Sequence, residues 1–277
     1  MSSNQNLPII NIRCDWDECL RGRDKEAWIS YKYKDQPSVT GKLELRNGKI
    51  SCSEGFTVGG YTGKSVTIKH TSSGTTTLFL APLTSFPLHN KSCTRVSVTP
   101  GGLGLSSGSQ GELQIWEVQR GVIRRTLEGN VGDIYQCRWF PSGVVVLGGG
   151  ADWRTRVWCA QKGDCPVTLT GHIGPVTDMV IVERGRNVIT TSKDGSARLW
   201  DVGESKCLAI LCELQSSIMC CAITSSNQID LPPSAEVPSE REVGTADKVL
   251  VVGCEDGTLS LLAIAARAEL ARKIMPS

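Results

Sequence analysis

Residues 171–201 read GHIGPVTDMVIVERGRNVITTSKDGSARLWD. Gly171-His172 opens the stretch and Trp200-Asp201 closes it. Between them lie two apolar runs of strand type, Val176–Val182 and Val188–Thr191, then a tight turn at Lys193-Asp194-Gly195 and a third run, Ser196–Trp200. Short apolar runs bounded by turn residues read as buried strands, and Asp-Gly is a hairpin signal. The pattern recurs along the chain. Trp116, Trp158 and Trp200 stand 42 residues apart, Asp152 and Asp194 each precede their tryptophan by six, and Gly129 lies 42 before Gly171. The copies decay differently. The second has Asn130 where the best copy has His172, and Gly148 where it has Thr190. The first keeps a hydroxyl at Ser106 but aligns Gln110 with the aspartate and Leu88 with the histidine. A fourth copy, GCEDGTLSLL, aligns Asp256-Gly257 with Asp194-Gly195 and Leu262 with Trp200. It is delayed by 20 residues that fall in the Pro-, Ser- and charge-rich stretch 225–248, read as an inserted loop.

A Gly-His to Trp-Asp unit of this length, repeated at this period, resembles the WD repeat, one blade of a β-propeller. The resemblance implies an all-β fold of four blades at about 86–128, 129–170, 171–212 and 213–277, an incomplete ring. It also implies a buried relay in which the Trp200 indole reaches Thr190, Thr190 reaches His172, and His172 reaches Asp194. Trp158 with Asp152, and Trp116 with Ser106, are the structural counterparts in the degenerate copies. A Thr–His–Asp catalytic triad is the competing reading, and the repeat spacing already accounts for each of its members. Four blades fall short of the commonest ring, so the chain is expected to be a truncated form of a longer protein, or to close its ring with a second chain.

Composition sets limits on function. Net charge is +2 with no basic block, which argues against nucleic acid. No stretch approaches 18 apolar residues, and the polar start MSSNQNLP lacks a signal core, so no membrane partner is expected and the chain is read as cytoplasmic and nuclear. Twelve cysteines contain no C-x-x-C pair, and the three histidines are scattered, so neither a metal nor any other cofactor is implied. Thiols in runs such as IMCCAIT behave as small hydrophobes and are expected to be reduced.

Residues 1–85 lack the repeat and read as a small β-rich module with a short helix. Asp15 and Glu18 suggest a capping box, with Trp16, Leu20 and Ala27-Trp28 as the apolar side of that helix. KLELRNGKISC alternates around Asn47-Gly48, a strong hairpin signal. The tail after Leu262 suits an outer strand or, being alanine-rich, a short helix. Two catalytic motifs are only approximated. Gly104-Leu105-Ser106-Ser107-Gly108 matches G-x-S-x-G but leads into a strand, ELQIW. Val58–Ser65 resembles a Walker A loop, yet Val58 replaces the first glycine and VTIKH, a strand pattern, follows where a helix is needed. Asn90-Lys91-Ser92 is read as a chance glycosylation sequon.

Beyond the repeat, SEGFTV (53–58), FPSGVVVL (140–147), RGRNV (184–188), DGSARLWD (194–201) and PSEREVGT (238–245) resemble the proteasomal ATPase-associated factor 1 family. That resemblance implies a non-enzymatic, monomeric chaperone. It would bind ATPase subunits of the proteasome regulatory particle during assembly of the base and restrain association with the proteolytic core. Recognition would fall to the entrances of the inner strands and to the turns between second and third strands. The repeat alignment places Asp133, Tyr135, Ile173 and Thr177 at the former, and Trp153, Arg154, Lys193 and Glu255 at the latter. A generic WD scaffold, such as a substrate receptor of a ubiquitin ligase, is the alternative.

Overall fold

The computed structural model describes residues 7–22, 25–34, 36–81, 86–226, 231–233 and 239–274. Two compact units divide at Ser85/Phe86. The first contains β1 (Ile9–Ile12), α1 (Trp16–Arg21), β2 (Glu26–Lys32), β3 (Val39–Arg46), β4 (Lys49–Cys52), β5 (Phe56–Tyr61), β6 (Ser65–His70) and β7 (Thr76–Leu80). They form one antiparallel sheet ordered β1-β2-β3-β4 and a second ordered β5-β6-β7, around a shared core that includes Trp16, Leu20, Ile29, Leu43, Val66 and Ile68. Asn47 and Gly48, both with positive φ (50° and 75°), turn β3 into β4 with the twist that two-residue hairpins favour.

Two local readings are corrected here. Asp15 makes no capping bond, because its carboxylate is taken by the Arg13 guanidinium (2.6 Å). Ala27 and Trp28 lie in β2 and not on the helix; strict alternation along EAWISYK buries Ala27 and exposes Trp28. Lys64, from the Walker-like stretch, instead compensates a buried charge. It reaches the Asp17 carboxylate at 3.1 Å, and Arg21 pairs with the same oxygen. Burial would raise the Asp17 pKa, but these two cations outweigh it and hold the carboxyl below its ordinary value. Thr62 and Ser65 close the turn between β5 and β6 side chain to side chain at 2.6 Å, and no helix N-terminus follows.

The second unit is a run of four-stranded antiparallel blades. Blade 1 comprises β8 (Cys93–Val98), β9 (Leu103–Gly108), β10 (Leu113–Glu117) and β11 (Ile123–Leu127). Blade 2 comprises β12 (Ile134–Trp139), β13 (Val145–Gly150), β14 (Thr155–Cys159) and β15 (Val167–Leu169). Blade 3 comprises β16 (Val176–Val182), β17 (Asn187–Ser192), β18 (Ser196–Asp201) and β19 (Lys206–Glu213). Blade 4 comprises β20 (Ile218–Ser225), β21 (Lys248–Cys254), β22 (Thr258–Ala263) and β23 (Ala268–Ile274). The tail is therefore a strand. The inner strands pack in succession, β8 on β12, β12 on β16 and β16 on β20.

The 225–248 stretch joins β20 to β21, and 227–230 and 234–238 of it lie outside the described residues. Its final part returns to blade 3. The Val243 N–H donates to Asn187 Oδ1 (2.8 Å), while Arg241 pairs with Asp201 (3.4 Å) and Glu204 (3.0 Å).

Each inner strand begins with a β-bulge, at Thr94, Tyr135, Thr177 and Met219 in turn. Two of these bulge residues stitch neighbouring blades: the Thr94 hydroxyl donates to the Ile134 carbonyl and the Thr177 hydroxyl to the Ile218 carbonyl, each at 2.7 Å. One residue further on, Asp178 is buried and links three blades. Its Oδ1 accepts from Gln136 Nε2 of blade 2 (2.6 Å) and from its neighbour Met179 N–H (2.8 Å), and its Oδ2 accepts from the Cys221 N–H of blade 4 (3.0 Å). Arg138 approaches Oδ1 at 3.3 Å and supplies the opposite charge. Removing this acceptor strands several buried donors, and such losses cost about 3–5 kcal/mol. Asp178→Ala should therefore move the chemical-denaturation midpoint of the second unit far down; a midpoint within error of wild type would contradict this role.

Candidate functional site

The relay in blade 3 is complete. The Trp200 indole N–H donates to Thr190 Oγ1 (2.8 Å), Thr190 Oγ1 contacts His172 Nε2 (2.8 Å), and His172 Nδ1 contacts Asp194 Oδ2 (2.9 Å). The network fixes the tautomer. Asp194, ionised, accepts a hydrogen bond from Nδ1–H, so Nε2 accepts from the threonine. Asp194 also accepts the Ile173 N–H (2.9 Å), the Ser196 N–H (2.8 Å) and the Ser196 hydroxyl (2.7 Å). Burial would raise its pKa, but these donors and His172 outweigh it, and the carboxyl falls to about 2. Burial likewise pushes the His172 imidazole below its ordinary 6.5, more than Asp194 pulls it up.

Blade 1 holds a displaced version of the same relay, and the reading that put Leu88 in the histidine position is corrected. His89, one residue later, contacts Ser106 Oγ through Nε2 (2.7 Å) and Glu112 through Nδ1 (3.0 Å), and Trp116 donates to the same serine at 3.1 Å. The acid has moved from Gln110 to Glu112, the register position that Ser196 holds in blade 3. A one-residue shift hides this relay from any fixed-period alignment. In blade 2, Gly148 offers no hydroxyl, and Trp158 donates instead to the Glu128 carbonyl (3.0 Å). Asp152 there pairs with Arg156 at 2.5 Å, and Asn130 Oδ1 stands 3.3 Å from the same nitrogen. In blade 4, Leu262 fills the tryptophan position as part of the apolar core.

Ser106, His89 and Glu112 have the order of a hydrolase triad, and two observations assign them to the fold. Ser106 lies within β9, paired on both sides with Gln114 and Val96, so no strained turn presents its hydroxyl and its neighbours' amides are committed to the ladder. The same chain of contacts recurs in blade 3 around Thr190, which is wholly buried. Gly104 is dictated by packing, since a Cβ there would lie 2.4 Å from the Trp116 ring.

The residues read as partner contacts separate into two groups. Trp153 (50% exposed), Ile173 (76%), Arg154, Lys193, Glu255 and Asp133 are exposed, and Asp133 Oδ1 accepts the Gln110 N–H at 2.9 Å. Tyr135 is half-buried at its bulge. Thr177 is buried at 7% with its hydroxyl spent between blades 3 and 4, so it meets no partner from solvent; the bulge turns it inward. Val131 (73% exposed) is the register equivalent of Ile173, and the sequence reading passed over it. The thiols of Cys137 and Cys212 are each pushed up to about 11 by burial, and Cys221 further, which makes them poor nucleophiles and metal ligands.

These blades, relays and bulges define a WD-repeat β-propeller. The model for "WD domain, G-beta repeat" matches residues 121–159 and 163–201. A computationally designed protein, Ika4, superposes with a TM-score of 0.52 at 19% identity, covering 67% of this chain and 99% of its own, a likeness of fold alone. Among curated proteins, "Proteasomal ATPase-associated factor 1" of Homo sapiens is 49% identical over 267 residues, 93% of this chain and 68% of the relative. The Gallus gallus protein of that name is 48% identical over the same shares, and a "Probable proteasomal ATPase-associated factor 1" of Dictyostelium discoideum is 31% identical over 51% of this chain and 35% of its own. The chain belongs to the proteasomal ATPase-associated factor 1 family.

Two measurements test the structural assignment of the relays. Ser106→Ala should destabilise the fold by roughly 1–3 kcal/mol in denaturant titration, with no change in ester hydrolysis beyond background. A folded variant that lost a measurable esterase activity would restore the triad reading. For His172 and Asp194 both folded pKa values lie below the ordinary 6.5 and 3.8. The unfolded chain then binds more protons as pH falls, so the stability they confer is full above about pH 6.5 and declines on acidification. The His172 share goes first, and the Asp194 share between about 3.8 and about 2. Thermal unfolding followed downward from pH 7 should show this decline, and His172→Gln should flatten its upper part.

Proposed function

We propose that this chain is a non-enzymatic binding module that engages ATPase subunits of the proteasome regulatory particle. It accompanies them during assembly of the base and restrains their association with the proteolytic core. The observation that carries this reading is the kinship with proteins named for association with proteasomal ATPases, which runs through both units of the chain. The physical arrangement favours the same reading. Relays and cross-blade bonds that satisfy their own donors and acceptors make a stiff frame, and a stiff frame holds its loops in place for a partner at low entropic cost. Its polar clusters are engaged in packing.

Affinity capture from cell lysate on the 277-residue chain, with bound proteins identified by mass spectrometry, tests the proposal. Proteasomal ATPases recovered without core-particle subunits are the expected result. A soluble bait that retains no ATPase overturns it, and ubiquitin-ligase adaptors in their place would favour a substrate-receptor role.

A further inference from the structure

The turn between second and third strands, which in blade 1 also holds Gln110 at φ 84°, places a residue in the left-handed region at the same aligned position in every described blade. In three blades that residue is glycine: Gly111 (φ 84°), Gly195 (φ 80°) and Gly257 (φ 81°). In blade 2 it is Trp153, at φ 64°. A bulky side chain is a rare occupant of this region, because its Cβ crowds the backbone. The other non-glycine residues with left-handed φ among the described residues are all polar.

Nothing in the core repays the strain, because the Trp153 ring is half in solvent. Strain kept at an exposed aromatic points from backbone to function. The neighbours on this face fit a contact surface. Val131 sits at the entrance of blade 2, its N–H directed at Asp152 Oδ2 (3.5 Å), and Ile173 occupies the same position in blade 3, its N–H on Asp194. Both are exposed by more than 70%, so the face carries three large apolar side chains on two adjacent blades. Arg154, beside the tryptophan, and Lys193, in the matching turn of blade 3, are exposed cations, while the exposed carboxylate at the blade 2 entrance, Asp133, has one oxygen engaged by the Gln110 N–H (2.9 Å).

We propose that Trp153 is the anchor of a docking surface formed with Val131 and Ile173, and that its occupant is a protein segment presenting an apolar side chain flanked by carboxylates. Trp and Arg carry a disproportionate share of binding energy at interfaces, and the two cations select an acidic partner. The proposal rests on the reading that proteasomal ATPase subunits bind this chain.

The test uses the full chain, wild type and two variants, with purified proteasomal ATPase subunits as the probe. Trp153→Gly restores the residue that the turn prefers, so its melting temperature should rise by about 2–4 °C while retention of the subunits falls at least tenfold. Arg154→Glu should leave the melting temperature within about a degree and reduce retention severalfold, with the loss shrinking as salt is raised. A Trp153→Gly chain that melts lower than wild type would overturn the strain argument. One that melts higher yet binds as wild type would overturn the anchor and leave ATPase binding intact. Wild type that retains no subunit would remove the functional reading, and the anchor with it.

Discussion

The propeller depends on one constraint: inner strands that lie edge to edge must satisfy backbone groups that neither sheet can reach alone. The fold meets this at the bulge. Where a strand carries an extra residue, its ladder is interrupted, and the side chain beside the interruption becomes free to serve the next blade. Thr94 and Thr177 do so with hydroxyls on neighbouring carbonyls. Asp178 does so with a carboxylate that reaches backwards to Gln136 and forwards to Cys221. A charge is tolerated in that position because every donor it faces is fixed and Arg138 lies within 3.3 Å. Tyr135, at the same bulge in blade 2, has no short hydroxyl to offer, and blades 2 and 3 are joined by the Gln136–Asp178 contact with its neighbour Arg138 and by a shared apolar core that includes Leu147, Leu169, Met179 and Trp200.

The relays obey the same logic within a blade. What is kept is the satisfaction of a buried indole N–H, and the residues that supply it are free to move. Blade 3 uses a threonine, a histidine and an aspartate; blade 1 uses a serine with histidine and acid both displaced in sequence; blade 2 turns to a carbonyl. Blade 4 removes the demand by placing Leu262 in the core. Each blade meets the demand of its tryptophan position in its own way, so a chain of Ser, His and Glu with the order of catalytic machinery can arise from packing.

Much of this was legible in the sequence because it depends on period. Trp116, Trp158 and Trp200 at equal spacing fix the third strand of three blades, and the Asp-Gly turn fixes its hairpin. The Asn47-Gly48 hairpin was equally plain, since its turn chemistry is local. What escaped was whatever depends on a shift or on a neighbour. His89 stands one residue off register, and Asp178 sits in an apolar run, VTDMVIV, where its partners lie some 42 residues to either side. The repeat alignment puts Thr177 at the entrance of an inner strand, and only the structure reveals the bulge that turns it inward there. Lys64 resembled a phosphate ligand because its glycines mark a turn, and only the fold reveals the buried Asp17 that the turn delivers it to.

Trp153 shows how the frame determines where recognition residues can be placed. The left-handed turn position exists in each described blade, yet blade 3 could not use it for a side chain. A Cβ on Gly195 would lie 2.1 Å from the Leu214 carbonyl oxygen, brought there by the loop that leaves β19. A Cβ on Gly111 would meet the Asn130 and Gly132 carbonyls at 3.1 Å. Those two turns are held to glycine by the chain that crosses them. In blade 2 the turn admits the half-exposed Trp153 side chain at the cost of backbone strain, which a glycine there would relieve. The docking proposal for Trp153 rests on this combination: a left-handed backbone position filled by a large side chain that is half in solvent. In that proposal the carboxylates behind the two strand entrances, Asp152 paired with Arg156 in blade 2 and Asp194 in the blade 3 relay, help to set the height and spacing of Val131 and Ile173.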